Sequence, residues 1–286
     1  MISPMVLRPL RVGFWCLPLL GALVIAPDGA LAADGASGSR AAPARHVAPW
    51  LGVQMAEVEG GVLVRHVLRG SPAEKAGLRD GDLILTVERA SVTRPTDVSS
   101  AVAQHAPGDT LSLTLRRGGQ TLLLTARLEA RPSAEETLTR DLVGSPAPAW
   151  VDITPVAGAP ASLNALRGKV VVLDFWATFC GPCRYMAPEL SALSARYQAQ
   201  GLAVVGITTD APDVAGSTRD RWEMRYPVLS DASGRTHQGY GITALPTIFV
   251  IDRRGVVRAV TVGAGRGELD RLDALVKTLL AEAPPP

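Results

Sequence analysis

From residue 50 onward the apolar positions fall into two regions of different rhythm. Between Trp50 and Ala130 they form short runs separated by glycine-rich turns. Leu51-Gly52-Val53-Gln54-Met55 reads as a short strand entered through a loop, Gly60-Gly61 as a turn, and Val62-Leu63-Val64 with Val67-Leu68 as the next strand. Ser71-Pro72-Ala73-Glu74-Lys75-Ala76-Gly77-Leu78 predicts a short helix, because serine caps it, proline suits its first position and glycine stops it. Asp80-Gly81-Asp82 turns into a strand over Leu83–Val87. Thr96–His105, with Val98, Ala101 and Val102 on one face, predicts a second helix. Leu111–Leu115 and Leu122–Leu124 around Arg117-Gly118-Gly119-Gln120 predict a hairpin.

Residues 131–148 carry proline at both ends and read as a partly extended linker in which Glu135–Leu142 can form a short helix. Beyond them the apolar runs lengthen. Trp150–Ile153 and Ala161–Leu163 read as a hairpin. Val170–Trp176 is continuous and valine-rich, the pattern of a strand buried on both faces. After Cys183 the period changes: Met186, Leu190, Leu193 and Tyr197 recur at helical spacing. Leu202–Ile207 predicts a second buried strand, joined to the first by a right-handed crossover. A helix over residues 211–226, a short strand over Val228–Ser230 and a short helix over Gly234–Tyr240 follow. A strand over Ala244–Asp252 is entered through Pro246. Another strand over Val256–Val262 and an amphipathic helix through Leu269, Leu272, Val276, Leu279 and Leu280 complete the pattern.

Length and composition agree with two globular domains: 286 residues, 47% hydrophobic and 20% charged. A net charge of +2 with dispersed arginines gives no footprint for nucleic acid. Ahead of both domains, Arg8 and Arg11 precede an apolar run, residues 12–26, and Ala30-Leu31-Ala32 offers a small-x-small cleavage site. Residues 1–32 therefore read as a signal peptide, with an uncleaved membrane anchor through 12–26 as the alternative. Residues 33–48 read as a flexible tether. The expected location is the periplasm. Cleavage would remove Cys16 and leave only Cys180 and Cys183, so the exported protein is not stapled by its own disulfides.

Those two cysteines flank Gly181-Pro182 where the buried strand gives way to the helix. At a helix start the free N–H groups and the positive dipole end favour thiolate over thiol, and Pro182 suits an early helical position. A structural zinc site needs more ligands than this pair, and His46, His66, His105 and His237 are scattered, so no metal is expected. A passive disulfide at this spacing closes too small a loop to restrain the unfolded chain much. The pattern therefore predicts a redox-active dithiol. Asp174, an acid inside the apolar strand, should be buried and hold its proton more tightly than an ordinary carboxylate. The alternative is a strand-edge aspartate reaching solvent. His237 reads as a surface residue.

Residues 49–130 resemble a bacterial PDZ domain of the kind found in exported HtrA-type proteases, a small β-rich barrel with two helices. The resemblance rests on Trp50-Leu51-Gly52-Val53, Gly61–Val64, Ser71–Leu78 and Asp80–Ile84. It implies that the backbone at Leu51, Gly52 and Val53 receives a peptide carboxylate. The peptide then adds as a strand against the helix bearing Val98 and Val102. A role as spacer or brace is the alternative. No serine-protease motif precedes the domain, so no protease activity is implied.

Residues 149–283 resemble the thioredoxin superfamily, an α/β fold with a central mixed sheet, and within it the exported TlpA/ResA-like thiol–disulfide oxidoreductases. The carrying residues are Leu173–Cys183, Pro188 and Leu245-Pro246-Thr247. The resemblance implies that Cys180 is the exposed nucleophile, Cys183 the resolving thiol and Asp174 its proton partner. Pro246 is implied to be cis, with Leu245 facing the substrate and Trp176 and Phe179 shielding the dithiol, plain core packing being the alternative for Trp176. Many members carry asparagine at the Asp174 position and glutamate at the Met186 position. Those departures bear on the specialised role in cytochrome c maturation that part of this branch performs. The expected activity is thiol–disulfide exchange on protein substrates without a cofactor beyond the Cys180–Cys183 disulfide, in the reducing direction because Gly-Pro is thioredoxin-like. A reductase there requires a membrane-borne electron donor. Two rivals differ in kind: a PDZ scaffold that uses the thioredoxin fold as a peptide platform, and a peroxidase. The peroxidase needs Pro-x-x-x-Thr-x-x-Cys, where this chain has Leu173 and Ala177.

Overall fold

The computed structural model describes residues 47–283 apart from 157 and 159. The expected signal peptide, nearly all of the expected tether and Cys16 lie outside these residues. No described helix is long and apolar enough to cross a membrane.

The first region comprises β1 (Pro49–Trp50), β2 (Val53–Val58), β3 (Gly61–Val67), α1 (Pro72–Lys75), β4 (Leu83–Val87), β5 (Ala90–Ser91), α2 (Pro95–Ala103), β6 (Thr110–Arg117), β7 (Gln120–Arg127) and β8 (Glu129–Ala130). The antiparallel order is β2-β3-β4-β6-β7, with β5 on β4 and β1 paired separately with β8. Alternate positions such as Val62, Val64, Leu111, Leu113 and Leu115 are fully buried, the period-two pattern of a half-covered sheet. Ser71 caps α1 by accepting from the Glu74 N–H at 3.1 Å. Residues 51–52 stay outside the strand because Gly52 has φ +84°, and a Cβ there would lie 2.3 Å from the Ser71 Cβ. Only glycine permits that approach.

Within the expected linker the short helix allowed over Glu135–Leu142 forms as α3 (Ala134–Leu142). Ser133 and Glu136 cap it reciprocally at 3.1 and 2.9 Å. Leu138 and Leu142, one turn apart, are buried in the core of the second domain. Gly144 and Ser145 continue by pairing with Val257 at 2.8 and 2.9 Å. The paired leucines and the capping box outweigh the flanking prolines.

The second domain contains β9 (Thr154–Val156), β10 (Val170–Trp176), α4 (Gly181–Tyr197), β11 (Leu202–Thr208), α5 (Pro212–Arg221), β12 (Val228–Ser230), α6 (Arg235–Gly239), β13 (Thr247–Ile251), β14 (Val257–Val262) and α7 (Arg266–Ala281). The strand order is β14-β13-β10-β11-β12-β9. β10, β11 and β12 run parallel, while β13, β14 and β9 each oppose their neighbour. All of β10 is buried at the centre. Val172 and Trp176 join the core beneath α4 and α7, whereas Leu173 and Phe175 join the core against α3. Asp174 therefore lies on the α4 side.

Two expected elements differ. No hairpin joins Trp150–Ile153 to Ala161–Leu163 among the described residues. Val151 is held by Thr236, β9 pairs with β12, and Leu163–Leu166 forms a 3-10 turn. The helix expected over 211–226 stops at Arg221, since Glu223 adopts φ 54° and the chain turns Met224 and Tyr226 into the core.

Candidate active site

α4 begins immediately after Cys180, which is its N-cap. The Cys180 Sγ accepts from the Cys183 N–H at 3.2 Å, and the two sulfurs are bonded at 2.00 Å. Pro182 occupies the first turn, where its missing N–H leaves no bond unmade. Pro188 interrupts the ladder further along, and Ser191 there donates to the Ala187 carbonyl at 2.7 Å and accepts from the Arg225 N–H at 3.0 Å. Cys180 is not exposed as the resemblance implies: it retains 6% of its accessible surface, and Cys183 3%. The disulfide draws both sulfurs into the cluster of Trp176, Ala177, Met186 and Ala187. Gly181 and Pro182 stay at the surface.

Trp176 and Phe179 stand differently toward the dithiol: Trp176 shares a buried cluster with both cysteines, whereas Phe179 does not. Trp176 is wholly buried, tilted against Trp222 at 5.4 Å between centroids, so its place is in the core. Phe179 stands 83% exposed beside the dithiol, and Tyr185 on the next turn is 78% exposed. The turn follows β10 directly, with too few residues to fold Phe179 back onto the sheet. Phe179 directly precedes Cys180 and Tyr185 follows Cys183 by two residues, so an exposed ring flanks the buried disulfide on each side along the chain.

The Leu245–Pro246 bond is cis. Thr247 pairs with Phe175, so Leu245 and Pro246 lie level with the end of β10, where the chain leaves for Cys180. Pro246 is buried, and Leu245 is half-buried between the two cores.

Asp174 is buried at 2% exposure in a central strand, which removes the strand-edge alternative. Burial pushes its carboxyl up to about 7, partly offset by a hydrogen bond from Tyr226. The Tyr226 hydroxyl donates to Oδ2 at 2.9 Å, and Oδ1 has no partner. Gly206 sits directly opposite Asp174 in the parallel register, and a Cβ there would lie 2.8 Å from the Trp176 Nε1.

Sequence reasoning missed two contributors. Asp210 holds the turn before Cys180, accepting from the Thr178 N–H and hydroxyl at 3.0 and 3.2 Å and from the Thr208 hydroxyl at 2.8 Å. Tyr226 reaches Asp174 from 52 positions away. The Thr208-Thr209-Asp210 run just past an apolar strand was a signal for the first, while only the fold reveals the second. His237 is not at the surface. Its side chain is 12% exposed, bonded through Nδ1 to Asp231 at 2.7 Å and set edge-on to Phe175. Its element packs against the core opposite the dithiol, so it takes no part in the site.

In the first domain the Leu51 side chain is buried, and Val98 and Val102 belong to the core. Neither valine lines an open groove, because the apolar stripe of α2 is spent on packing. β2 pairs with β3 alone, leaving its outer edge unpaired among the described residues. A cleft of about 680 Å³ runs between Val53–Met55 of β2, Asp141 of α3 and the loop Ile242–Ala244 that leads to Pro246. A smaller cavity of about 250 Å³, lined by Trp150, Arg167, Val171 and Asp252, lies at the opposite end of β10 from the dithiol. No group of metal-ligating side chains occurs among the described residues.

Residues 143–260 match the AhpC/TSA family and residues 49–128 match the PDZ domain family. Thiol-disulfide oxidoreductase ResA of Geobacillus thermodenitrificans is 33% identical over 122 residues, 42% of this chain and 70% of that protein. The Bacillus thuringiensis protein of the same name is 33% identical over 116 residues, 40% of this chain and 66% of that protein, just short of two thirds of its length. A thiol:disulfide interchange protein DsbE structure from Chlorobium tepidum, itself described as putative, has 32% identity and a TM-score of 0.46. It covers 49% of this chain and 98% of its own.

Proposed function

Because this chain belongs to the thioredoxin-fold thiol–disulfide oxidoreductases of the ResA type and carries a PDZ domain ahead of that fold, we propose that it exchanges disulfides with protein substrates through Cys180 and Cys183. The observation that carries this reading is a cysteine pair at the start of α4 with an acid buried on the α4 side of the strand that leads into it. Cys180 attacks the substrate disulfide as thiolate, releasing one substrate sulfur and forming a mixed disulfide. Cys183 gives its proton to Asp174 and displaces the second substrate sulfur, leaving Cys180–Cys183 oxidised and the substrate reduced. Leu245 and the cis Pro246 present backbone to the incoming chain. The working direction is reduction, in the periplasm, with electrons resupplied by a membrane-borne donor.

The PDZ domain recruits the substrate or a partner. Its free β2 edge and the loop before Pro246 border one cleft, which supports recruitment close to the dithiol. A peroxidase reading is not favoured: Leu173 and Ala177 stand where proline and threonine would be needed, and both are buried in the core.

Trapping tests the proposal. The Cys183→Ser variant, expressed as the full chain, should accumulate mixed disulfides between Cys180 and exported proteins, dissolved by reductant. A variant that captures no more protein than the Cys180→Ser, Cys183→Ser pair would leave the scaffold reading in its place.

A further inference from the structure

Tyr226 has no place in the exchange described so far, yet the fold is built around its hydroxyl. The residue is 1% exposed and its oxygen reaches a single polar partner, Oδ2 of Asp174, at 2.9 Å. The backbone holds it on both sides: the Arg225 N–H donates to Ser191 of α4 at 3.0 Å, and the Pro227 carbonyl accepts from the Gly206 N–H at 2.9 Å. Room for the ring comes from Gly206, where a Cβ would stand 3.3 Å from the Tyr226 Cε2. A phenylalanine would fill the same space without a buried hydroxyl to satisfy, and an apolar residue at 174 would avoid burying an acid. The retention of both groups beside a dithiol points to proton chemistry and not to packing.

No other titratable group faces Asp174 among the described residues. β11 and β13 present none, and the buried faces of α5 and α7 present none. α4 turns only Cys183 and, farther along, Tyr197 inward. Cys180 at its cap completes the set. With the Tyr226 hydrogen committed to Oδ2, Oδ1 is the oxygen left without a partner.

We propose that Tyr226 is a positioning residue of the exchange: by donating to Oδ2 it fixes the Asp174 carboxyl so that Oδ1 takes the proton from Cys183 and later returns it. The inference rests on the proton role given to Asp174 above. In the resolving step the Cys183 S–H proton moves to Oδ1. The Cys183 sulfur then bonds to the Cys180 sulfur, and the bond from Cys180 to the substrate breaks. The electron pair leaves on the substrate sulfur, which takes a proton from solvent; the dithiol is oxidised and the substrate disulfide reduced.

The test uses reduced full-length protein and oxidised glutathione at concentrations high enough that release of the second glutathione thiol, followed from pH 5 to 9, no longer depends on them, so that the resolving step and not the Cys180 attack sets the rate. The wild-type rate should rise with a midpoint near the Asp174 value of about 7. Tyr226→Phe should move that midpoint up by about one pH unit, a roughly tenfold slower step at pH 6. Asp174→Asn should abolish the pH step, and adding Tyr226→Phe to it should change nothing further. Should Tyr226→Phe fold poorly, replacing the four tyrosines with 3-fluorotyrosine strengthens the donor, and the midpoint should fall. An unmoved midpoint in both, with the Asp174→Asn effect intact, would reduce Tyr226 to core filling. A pH step that survives Asp174→Asn would overturn the role of Asp174 itself.

Discussion

Asp174 shows what one residue costs and what that cost is for. An aspartate whose carboxyl is raised by burial keeps its proton in the folded protein while the unfolded chain has already lost it. The sign follows from linkage: the folded state holds the extra proton between the ordinary carboxylate range and about 7, so stability declines as pH rises across that window and is flat above it. Asp174→Asn should therefore stabilise the oxidised protein at pH 8 by on the order of 3 kcal/mol, a difference that vanishes toward pH 4. Urea unfolding at the two pH values measures it. An equal effect at both would show that the carboxyl carries no displaced proton.

Among elements, the strand-to-helix junction was legible because one chemical pattern serves both local structure and function. A valine run makes β10, and the Cys-Gly-Pro-Cys stretch starts α4 where backbone donors are free. The PDZ strands and α1 were legible for the same kind of reason, since glycines, a serine cap and alternating leucines each act within a few residues. The misreadings occurred where tertiary partners decide. α5 stops early because Glu223 turns the chain so that Tyr226 can reach Asp174. Trp150–Ile153 is drawn to α6 by Thr236 instead of to a hairpin partner. The PDZ resemblance implies ligand contacts at Val98 and Val102, and the helical stripe cannot correct it, because such a stripe looks the same whether it faces a groove or a core. Tyr226 is invisible in the sequence because its partner is 52 positions away, while the threonines before Asp210 hint at that residue but not at Thr178, 32 positions away.

At the scale of the whole molecule, α3 makes the expected inter-domain linker a joint between the two domains. Its leucines pack in the thioredoxin-like core, while Asp141 accepts from His66 Nε2 at 3.0 Å and from the Arg69 N–H at 3.0 Å on the PDZ side. The hydrogen bond that His66 donates to Asp141, against some burial, raises His66 to about 9. A histidine raised in this way contributes below its ordinary range near 6.5, and that contribution is lost as pH climbs through about 9. His66→Ala at pH 7 should therefore speed proteolytic cleavage between β8 and α3, as should raising the wild type to pH 10. Unchanged cleavage in both would mean that the joint does not depend on this pair. The joint holds the PDZ edge near the loop before Pro246, but the proposed exchange requires Cys180 to be an acidic thiol at the head of α4. The most direct test is the pH dependence of iodoacetamide alkylation of Cys180 in the reduced Cys183→Ser chain. The account predicts a midpoint at least about one unit below the ~8.5 of an unstructured cysteine; a midpoint at that ordinary value would contradict it.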